Sequence, residues 1–102
     1  METAVDRYGH DIYLTDERWR HIIEQHPEMI NYKPHLVRTI RDGKRNQHHL
    51  QLDTFVYTKR FDDLPRGMTH VFVIVKFGFI NLQDGSVSNN FVLTAYQKKI
   101  YR

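Results

Sequence analysis

Cysteine is absent from this chain of 102 residues. Its absence excludes disulfides and thiolate metal sites, which suits a cytoplasmic protein. Long hydrophobic runs are absent as well, because the longest, residues 71–75, is far too short to span a bilayer. Residues 1–7 lack the basic region and the apolar run of a signal peptide. We therefore expect a cytoplasmic protein without a membrane partner.

No internal repeat, low-complexity segment or linker interrupts the sequence. Hydrophobic residues make up 40% of the chain and aromatic residues 13%, which fits a folded globule and not a disordered chain. At this length we predict a single domain over residues 1–102. The net charge of +3 permits a polyanionic partner without requiring one.

Residues 14–28 predict a first helix with clear signals at both ends. Thr15 is a good N-cap, because its hydroxyl can accept a hydrogen bond from an unpaired backbone N–H. Asp16 and Glu17 follow it, where negative charge favours the positive end of the helix dipole. Pro27 biases the preceding residue away from helical torsions, so the helix should end near Gln25.

One face of this helix ends on a histidine. Trp19, Ile22, Ile23 and His26 fall at i, i+3, i+4 and i+7, the spacing of an apolar stripe. His21 points nearly the opposite way, into solvent. Imidazole is suited to proton transfer near neutral pH, but a lone histidine on an apolar face is also often a satisfied core residue. Both interpretations of His26 are open at this point.

The rest of the chain predicts a second helix followed by strands. The helix begins at Pro34 and ends at Gly43. A short hairpin is predicted over residues 5–14, and a hairpin loop lies over 81–90. Strands are predicted over residues 47–52, 54–61, 69–79 and 90–97, before a basic tail over 98–102. This order predicts an α+β domain in which two N-terminal helices pack on one face of a three- to four-stranded antiparallel sheet.

Basic residues gather around the end of the second helix, at Arg38, Arg41, Lys44 and Arg45. They suit the helix dipole as a solvated face, but four cations exceed what capping a helix end requires. The alternative is a patch that contacts phosphates. We carry both interpretations forward.

Polar residues interrupt the strongest strands. Lys76 shares a face with Phe72 and Ile74, and Thr94 shares a face with Tyr96. One register of the two strands would set Lys76 beside Thr94, and a slip of one residue would separate them. The alternative for Lys76 is that its side chain reaches water at the end of the sheet.

This set of residues suits RNA cleavage by attack of the 2′-hydroxyl on the adjacent phosphorus. His26 would be the base or the acid, and Lys76 with Lys59 or Arg60 would stabilise the transition-state charge. Thr94 would be a phosphate ligand, and Tyr96 a hydrogen-bond donor or a stacking platform.

The histidines do not predict a metal site. His21 and His26 diverge on the helix, and His48 and His49 diverge in an extended segment, so neither pair has the spacing of a zinc chelate. The acidic residues are scattered, without the carboxylate set of a two-metal centre. We predict no metal and no cofactor, and we interpret the other histidines, including His70, as surface residues.

Three stretches together resemble a known family of small bacterial and phage proteins. They are residues 14–22 (LTDERWRHI) with 26–28 (HPE), residues 73–76 (VIVK) and residues 91–96 (FVLTAY). The family belongs to the barnase, EndoU, colicin E5/D and RelE-like (BECR) nuclease superfamily. The resemblance implies two helices on a four-stranded antiparallel sheet and a metal-independent endoribonuclease, often a toxin held by a partner antitoxin.

Carried over to this sequence, the resemblance implies catalytic roles for His26, Lys76 and Thr94, followed by His21, Arg60 and Tyr96. The expected partners are an RNA substrate, either tRNA or mRNA, and a cognate antitoxin. The alternative is a catalytically inactive RNA-binding or protein-interaction module of the same fold. One conflict follows: the helical phase turns His26 towards the helix-packed side of the sheet, whereas nucleases of this kind cut RNA on the open side.

Overall fold

The computed structural model describes residues 1–101, so Arg102, the end of the predicted basic tail, lies outside the described residues. Helix α1 spans Asp16–Gln25, and its predicted bounds are confirmed. The Thr15 hydroxyl accepts a hydrogen bond from the Arg18 backbone N–H at 3.1 Å. His26 closes the helix by donating its backbone N–H to the Ile22 carbonyl at 2.7 Å. The following turn, Pro27–Met29, is a short 3₁₀ helix.

Helix α2 spans Lys33–Asp42 and ends at Gly43, as the sequence predicts. Glycine is required there by space, because the helix end lies directly against a neighbouring strand. A Cβ atom on Gly43 would lie 2.4 Å from the Thr39 carbonyl oxygen and 2.7 Å from the Thr58 carbonyl oxygen. Real Cβ atoms do not approach backbone this closely, so any side chain at this position would push α2 away from the sheet.

Residues 1–101 form eight strands. They are β1 (Glu2–Val5), β2 (Asp11–Leu14), β3 (Lys44–Gln47), β4 (Thr54–Arg60), β5 (His70–Lys76), β6 (Phe79–Leu82), β7 (Gly85–Ser88) and β8 (Asn90–Lys98). Six of them make one sheet in the order β1-β2-β8-β5-β4-β3, and β6 and β7 make a separate hairpin. All neighbours are antiparallel except β2 and β8, which run parallel.

The predicted three- to four-stranded antiparallel sheet is therefore wrong. The N-terminal hairpin does not stand apart: Ile12 and Tyr13 pair in parallel with Asn90 and Phe91, which joins β1 and β2 to the sheet and makes it mixed. The predicted loop over residues 81–90 is mostly strand, because it belongs to the β6–β7 hairpin.

The strand predicted over residues 47–52 is also misplaced. Strand β3 lies earlier, and the residues after it turn back on themselves. There the ring Nδ1 of His48 accepts hydrogen bonds from the backbone N–H groups of Leu50 and Gln51, both at 3.1 Å.

Both helices cover the same face of the sheet. Helix α1 lies against β8, and α2 lies against β4, β5 and β1. Strand β5 turns Val71, Val73 and Val75 towards the helices, and all three are fully buried. Ile22 of α1 is buried in the same core, and Trp19 packs against it. No helix within residues 1–101 has the length and apolarity that crossing a membrane requires.

A buried carboxylate ties the N-terminal hairpin to the middle of the sheet. Asp6 accepts a hydrogen bond from the Tyr57 hydroxyl at 2.6 Å, and its second oxygen accepts from the backbone N–H groups of Tyr8 and His10 at 2.9 Å. Burial alone would raise the pKa of Asp6, but these hydrogen bonds outweigh it and hold the pKa below its usual value. Burial and the adjacent carboxylate raise the pKa of Tyr57.

Candidate functional site

The sheet face opposite the helices, here called the open face, carries two adjoining rows of side chains. Residues directly opposite each other on neighbouring strands share a face. The first row is basic and contains Arg60, His70 and Lys98 from β4, β5 and β8. The second row contains Lys44, Thr58, Phe72 and Tyr96.

An aromatic pair forms the centre of the open face. The rings of Phe72 and Tyr96 are nearly parallel, with centroids 5.4 Å apart and planes 6° apart. Both residues are only partly buried. The Lys98 ammonium lies 5.6 Å from the Phe72 ring centroid. A half-exposed ring pair beside a cation can contact an unpaired base while the cation contacts its phosphate.

His26 reaches the open face around an edge of the sheet. Beyond Phe91, no described strand pairs with the outer edge of β8, since β2 meets it only at Asn90 and Phe91. The turn after α1 lies against this edge, where the Gln97 side chain donates to the Glu28 carbonyl at 3.1 Å. The His26 ring centroid lies 5.6 Å from that of Tyr96. The conflict between helical phase and open-face chemistry is thereby removed.

Glu28 also contacts the His26 ring. Its Oε1 lies 3.4 Å from His26 Nδ1, and both side chains are 33% exposed. A carboxylate at Nδ1 favours the tautomer that carries its proton there. This tautomer leaves Nε2 free to accept a proton.

Lys76 and Thr94 do not join this cluster. Lys76 lies opposite Phe91, four residues along β5 from Phe72, which is roughly 13 Å at the usual strand rise. Its ammonium lies 3.8 Å from Asp53 Oδ2. Thr94 lies opposite Ile74, and a bulge in β8 beyond this pair sets Lys76 opposite Phe91, so the register that would place Lys76 beside Thr94 is not formed. The Thr94 hydroxyl oxygen is buried without a hydrogen-bond partner among the described residues, and a buried hydroxyl does not reach a phosphate on this face.

The two remaining catalytic candidates lie apart from each other. Arg60 is on the open face, where its Nε is 3.8 Å from Asp62 Oδ1. His21 is exposed on α1, with Nε2 3.9 Å from Glu17 Oε1. His21 therefore points to solvent, as its helical phase predicts.

The predicted basic patch is divided between the two sides of the sheet. Arg38 and Arg41 lie on α2, where the Arg38 guanidinium is 5.4 Å from the Phe61 ring and Arg41 Nε is 3.7 Å from Asp42 Oδ2. Arg45 turns inward and packs 4.1 Å from the Tyr8 ring, with Nη1 3.6 Å from Asp6 Oδ2. Arg45 therefore belongs to the Asp6 network, and its side chain is mostly buried.

Lys44, the remaining patch residue, lines a basic cavity at the edge of the open face together with Lys59, which the sequence also offers as an RNA-binding residue. The cavity has a volume of about 580 Å³, and its basic lining residues are Arg7, Lys44, Lys59, Arg60 and His70, beside the acidic Asp42. The Lys59 ammonium lies 5.5 Å from the Phe61 ring. The cavity adjoins Phe72, so the basic cavity and the aromatic pair form one continuous surface.

Comparisons with family models, with curated proteins and with solved structures found no match to this chain. Its chemistry is therefore argued from the site alone. Within residues 1–101, no three His, Asp or Glu side chains come together as a group that could hold a metal ion.

Sequence reasoning missed four residues of this surface: Glu28, His70, Phe72 and Lys98. Strand alternation carried the signal for His70 and Phe72, because both share the open face of β5 with Lys76. Lys98 was assigned to a tail, although it still pairs with His70 in β8. Glu28 had no signal in the sequence beyond its closeness to His26.

Proposed function

We propose that this chain is a metal-independent endoribonuclease of the toxin type, a member of the BECR superfamily that cleaves tRNA or mRNA. One observation carries the proposal: the His26 imidazole lies against Tyr96, at the margin of an aromatic pair flanked by cations. Imidazole can transfer protons, cations can stabilise the transition-state charge and rings can stack an unpaired base, so these groups together suit cleavage of RNA through its 2′-hydroxyl.

Binding on this surface divides between rings and cations. An unpaired base stacks on the Phe72–Tyr96 pair, a contact that is worth about 1–3 kcal/mol for each base. The ribose and the scissile phosphate then lie towards His26. Arg60, Lys98 and the residues of the basic cavity contact the flanking phosphates.

The proposed reaction involves two proton transfers, one from the attacking 2′-hydroxyl and one to the leaving 5′-oxygen. His26 Nε2 removes the proton of the 2′-hydroxyl, and the 2′-oxygen bonds to the adjacent phosphorus. The bond from phosphorus to the 5′-oxygen breaks, and His70, the second imidazole of the open face, donates a proton to the leaving oxygen. Lys98 stabilises the negative charge of the transition state. The products are a 2′,3′-cyclic phosphate and a 5′-hydroxyl.

Glu28 orients His26 for this step. Its contact with Nδ1 restrains the ring and leaves Nε2 as the nitrogen that takes the proton. As the imidazole takes up a proton, the carboxylate stabilises the positive charge. Each proton transfer of this kind contributes about 10²–10⁴ in rate.

A catalytically inactive RNA-binding module is the second candidate. The observation that favours it is the separation of Lys76 and Thr94 from His26, since rings and cations alone suffice to bind RNA. If the chain is a toxin, its protein partner would be a cognate antitoxin, and this antitoxin would have to cover the open face.

The deciding experiment incubates the purified chain with RNA in excess chelator and analyses the ends of the products. We expect cleavage that leaves 2′,3′-cyclic phosphates, and we expect His26→Gln to abolish it while the melting temperature stays unchanged. His21→Gln is the matched control, because His21 is exposed on α1 and away from the aromatic pair. This variant should cleave RNA normally. Binding of RNA without cleavage would support the inactive module.

A further inference from the structure

A second cavity lies at the same edge of the sheet as His26, near the opposite end of α1. Its volume is about 530 Å³, within the usual range for ligand sites. It is enclosed by the start of α1, by β8 and by the β6–β7 hairpin. Its walls are mostly apolar, and they include Tyr13, Ile80, Val87 and Phe91.

Arg18 is the single charged side chain among the described residues that line this cavity. It is partly buried, and its one hydrogen bond, to the Leu93 carbonyl, is long at 3.5 Å. In the described part of the chain it has no carboxylate partner. A partly desolvated guanidinium without a counter-charge favours an anion, and its planar fork matches phosphate.

The two rings of the cavity belong to the open face. Tyr13 and Phe91 are cross-strand neighbours on β2 and β8, and Phe91 lies on the same face of β8 as Tyr96. The distance from the first aromatic pair is roughly 13 Å along β5. Arg18 lies on α1 and His26 is its C-cap, eight residues later, which corresponds to roughly 12 Å along the helix axis. The cavity is therefore a few nucleotides of single-stranded RNA away from both the aromatic pair and His26.

We propose that this cavity is a second base-binding subsite, which takes an unpaired nucleobase of the substrate while Arg18 binds the adjoining phosphate. The inference rests on the proposed ribonuclease function and deepens it. It makes the β6–β7 hairpin part of the substrate site, because Ile80 and Val87 form one wall of the base pocket. Their half-exposed side chains would be covered by the base.

The test measures the binding of 2′-fluoro oligonucleotides, which lack the attacking hydroxyl, by fluorescence anisotropy. Probes of two and of six nucleotides separate the His26 site from the subsite. We expect the longer probe to bind the native chain about tenfold more tightly, the size of one base–aromatic stack. Arg18→Gln should remove most of this gain, and so should Val87→Trp, which fills the cavity without changing the charge.

Arg20→Gln is the matched control, because it removes the same charge from an exposed position two residues along the helix. An equal loss in Arg18→Gln and Arg20→Gln would overturn the subsite, since it would show only a general charge effect. RNA cleavage together with no gain from the longer probe would overturn the subsite and leave the proposed function standing. Failure to bind either probe, with no cleavage, would overturn both.

Discussion

Lys98 and Lys76 lie on the same face of the sheet, but only Lys98 is near the aromatic pair. The Lys98 ammonium lies over the Phe72 ring. Lys76 is four residues from Phe72 along β5, and its ammonium contacts Asp53 instead. If Lys98 stabilises the transition state, Lys98→Gln should lower kcat by about 10², as the loss of one positioned charge donor does. Lys76→Gln is the matched change and should keep most of the activity, measured as single-turnover cleavage. The reverse order would return the site to the Lys76 end of β5.

At the same scale, the Asp6–Tyr57 pair predicts how stability depends on pH. The pKa of Asp6 is lowered in the folded chain, so its contribution is complete above the unfolded-state pKa, near the ordinary value of 3.8, and is lost as pH falls below it. Tyr57→Phe removes the hydroxyl that donates at 2.6 Å and should lower the free energy of unfolding at pH 7 by about 1–3 kcal/mol.

Urea unfolding of both proteins between pH 7 and pH 2.5 provides the measurement. The native chain should lose stability towards acid more steeply than Tyr57→Phe, because the variant has a smaller shift to lose. Tyr8→Phe is the control: only the backbone of Tyr8 contacts Asp6, and its side chain is exposed. Parallel pH curves for all three proteins would show that the Tyr57 hydroxyl does not hold the carboxylate in its ionised form.

Among the elements, the junction between α2 and β4 predicts a large effect from a single methyl group. Gly43→Ala would place a Cβ against two backbone carbonyls, so we expect a loss of about 1–3 kcal/mol in the free energy of unfolding. Gly78→Ala is the control, because its Cβ would meet only the Asn89 carbonyl, at an ordinary 3.5 Å. Thermal unfolding that ranks the two variants equally would mean that α2 shifts at little cost.

The elements also show which parts of the fold local sequence can specify. Helix α1 was predictable because Thr15 and Pro27 fix its ends through contacts within one turn. The parallel pairing of Tyr13 with Phe91 was not, because it joins residues far apart in sequence and no alternation pattern encodes a partner. The β8 bulge has the same character, and it changes the register from Val75 onward so that Lys76 lies opposite Phe91.

The candidate site follows the same division. Helical phase predicts that His26 continues the stripe of Ile22, but the helix ends at Gln25 and His26 is its cap, with non-helical torsions. Its arrival beside Tyr96 depends on where β2 stops pairing with β8, which is a property of the whole sheet. Arg45 was assigned to the surface for the related reason that its inward partner, Asp6, lies 39 residues earlier in the chain.

Over the whole molecule, the cations divide between the open face and the helix-covered side, and this division predicts which of them carry the salt dependence of RNA binding. For single-stranded RNA, each phosphate contact contributes about 0.7 to the slope of log K against log salt. Lys44→Gln with Arg60→Gln removes two cations of the basic cavity, so the slope should become shallower by about 1.4.

The matched double variant, Arg38→Gln with Arg41→Gln, removes the same charge from α2 and should leave the slope unchanged. Binding of a 2′-fluoro RNA hexamer, which cannot be cleaved, is measured by anisotropy for each protein across a range of salt concentrations. It separates a directed contact from the general attraction of a chain with net charge +3. Equal slopes in the two double variants would mean that RNA does not bind preferentially to the open face. A slope that becomes shallower only in the α2 variant would mean that RNA binds on the helices.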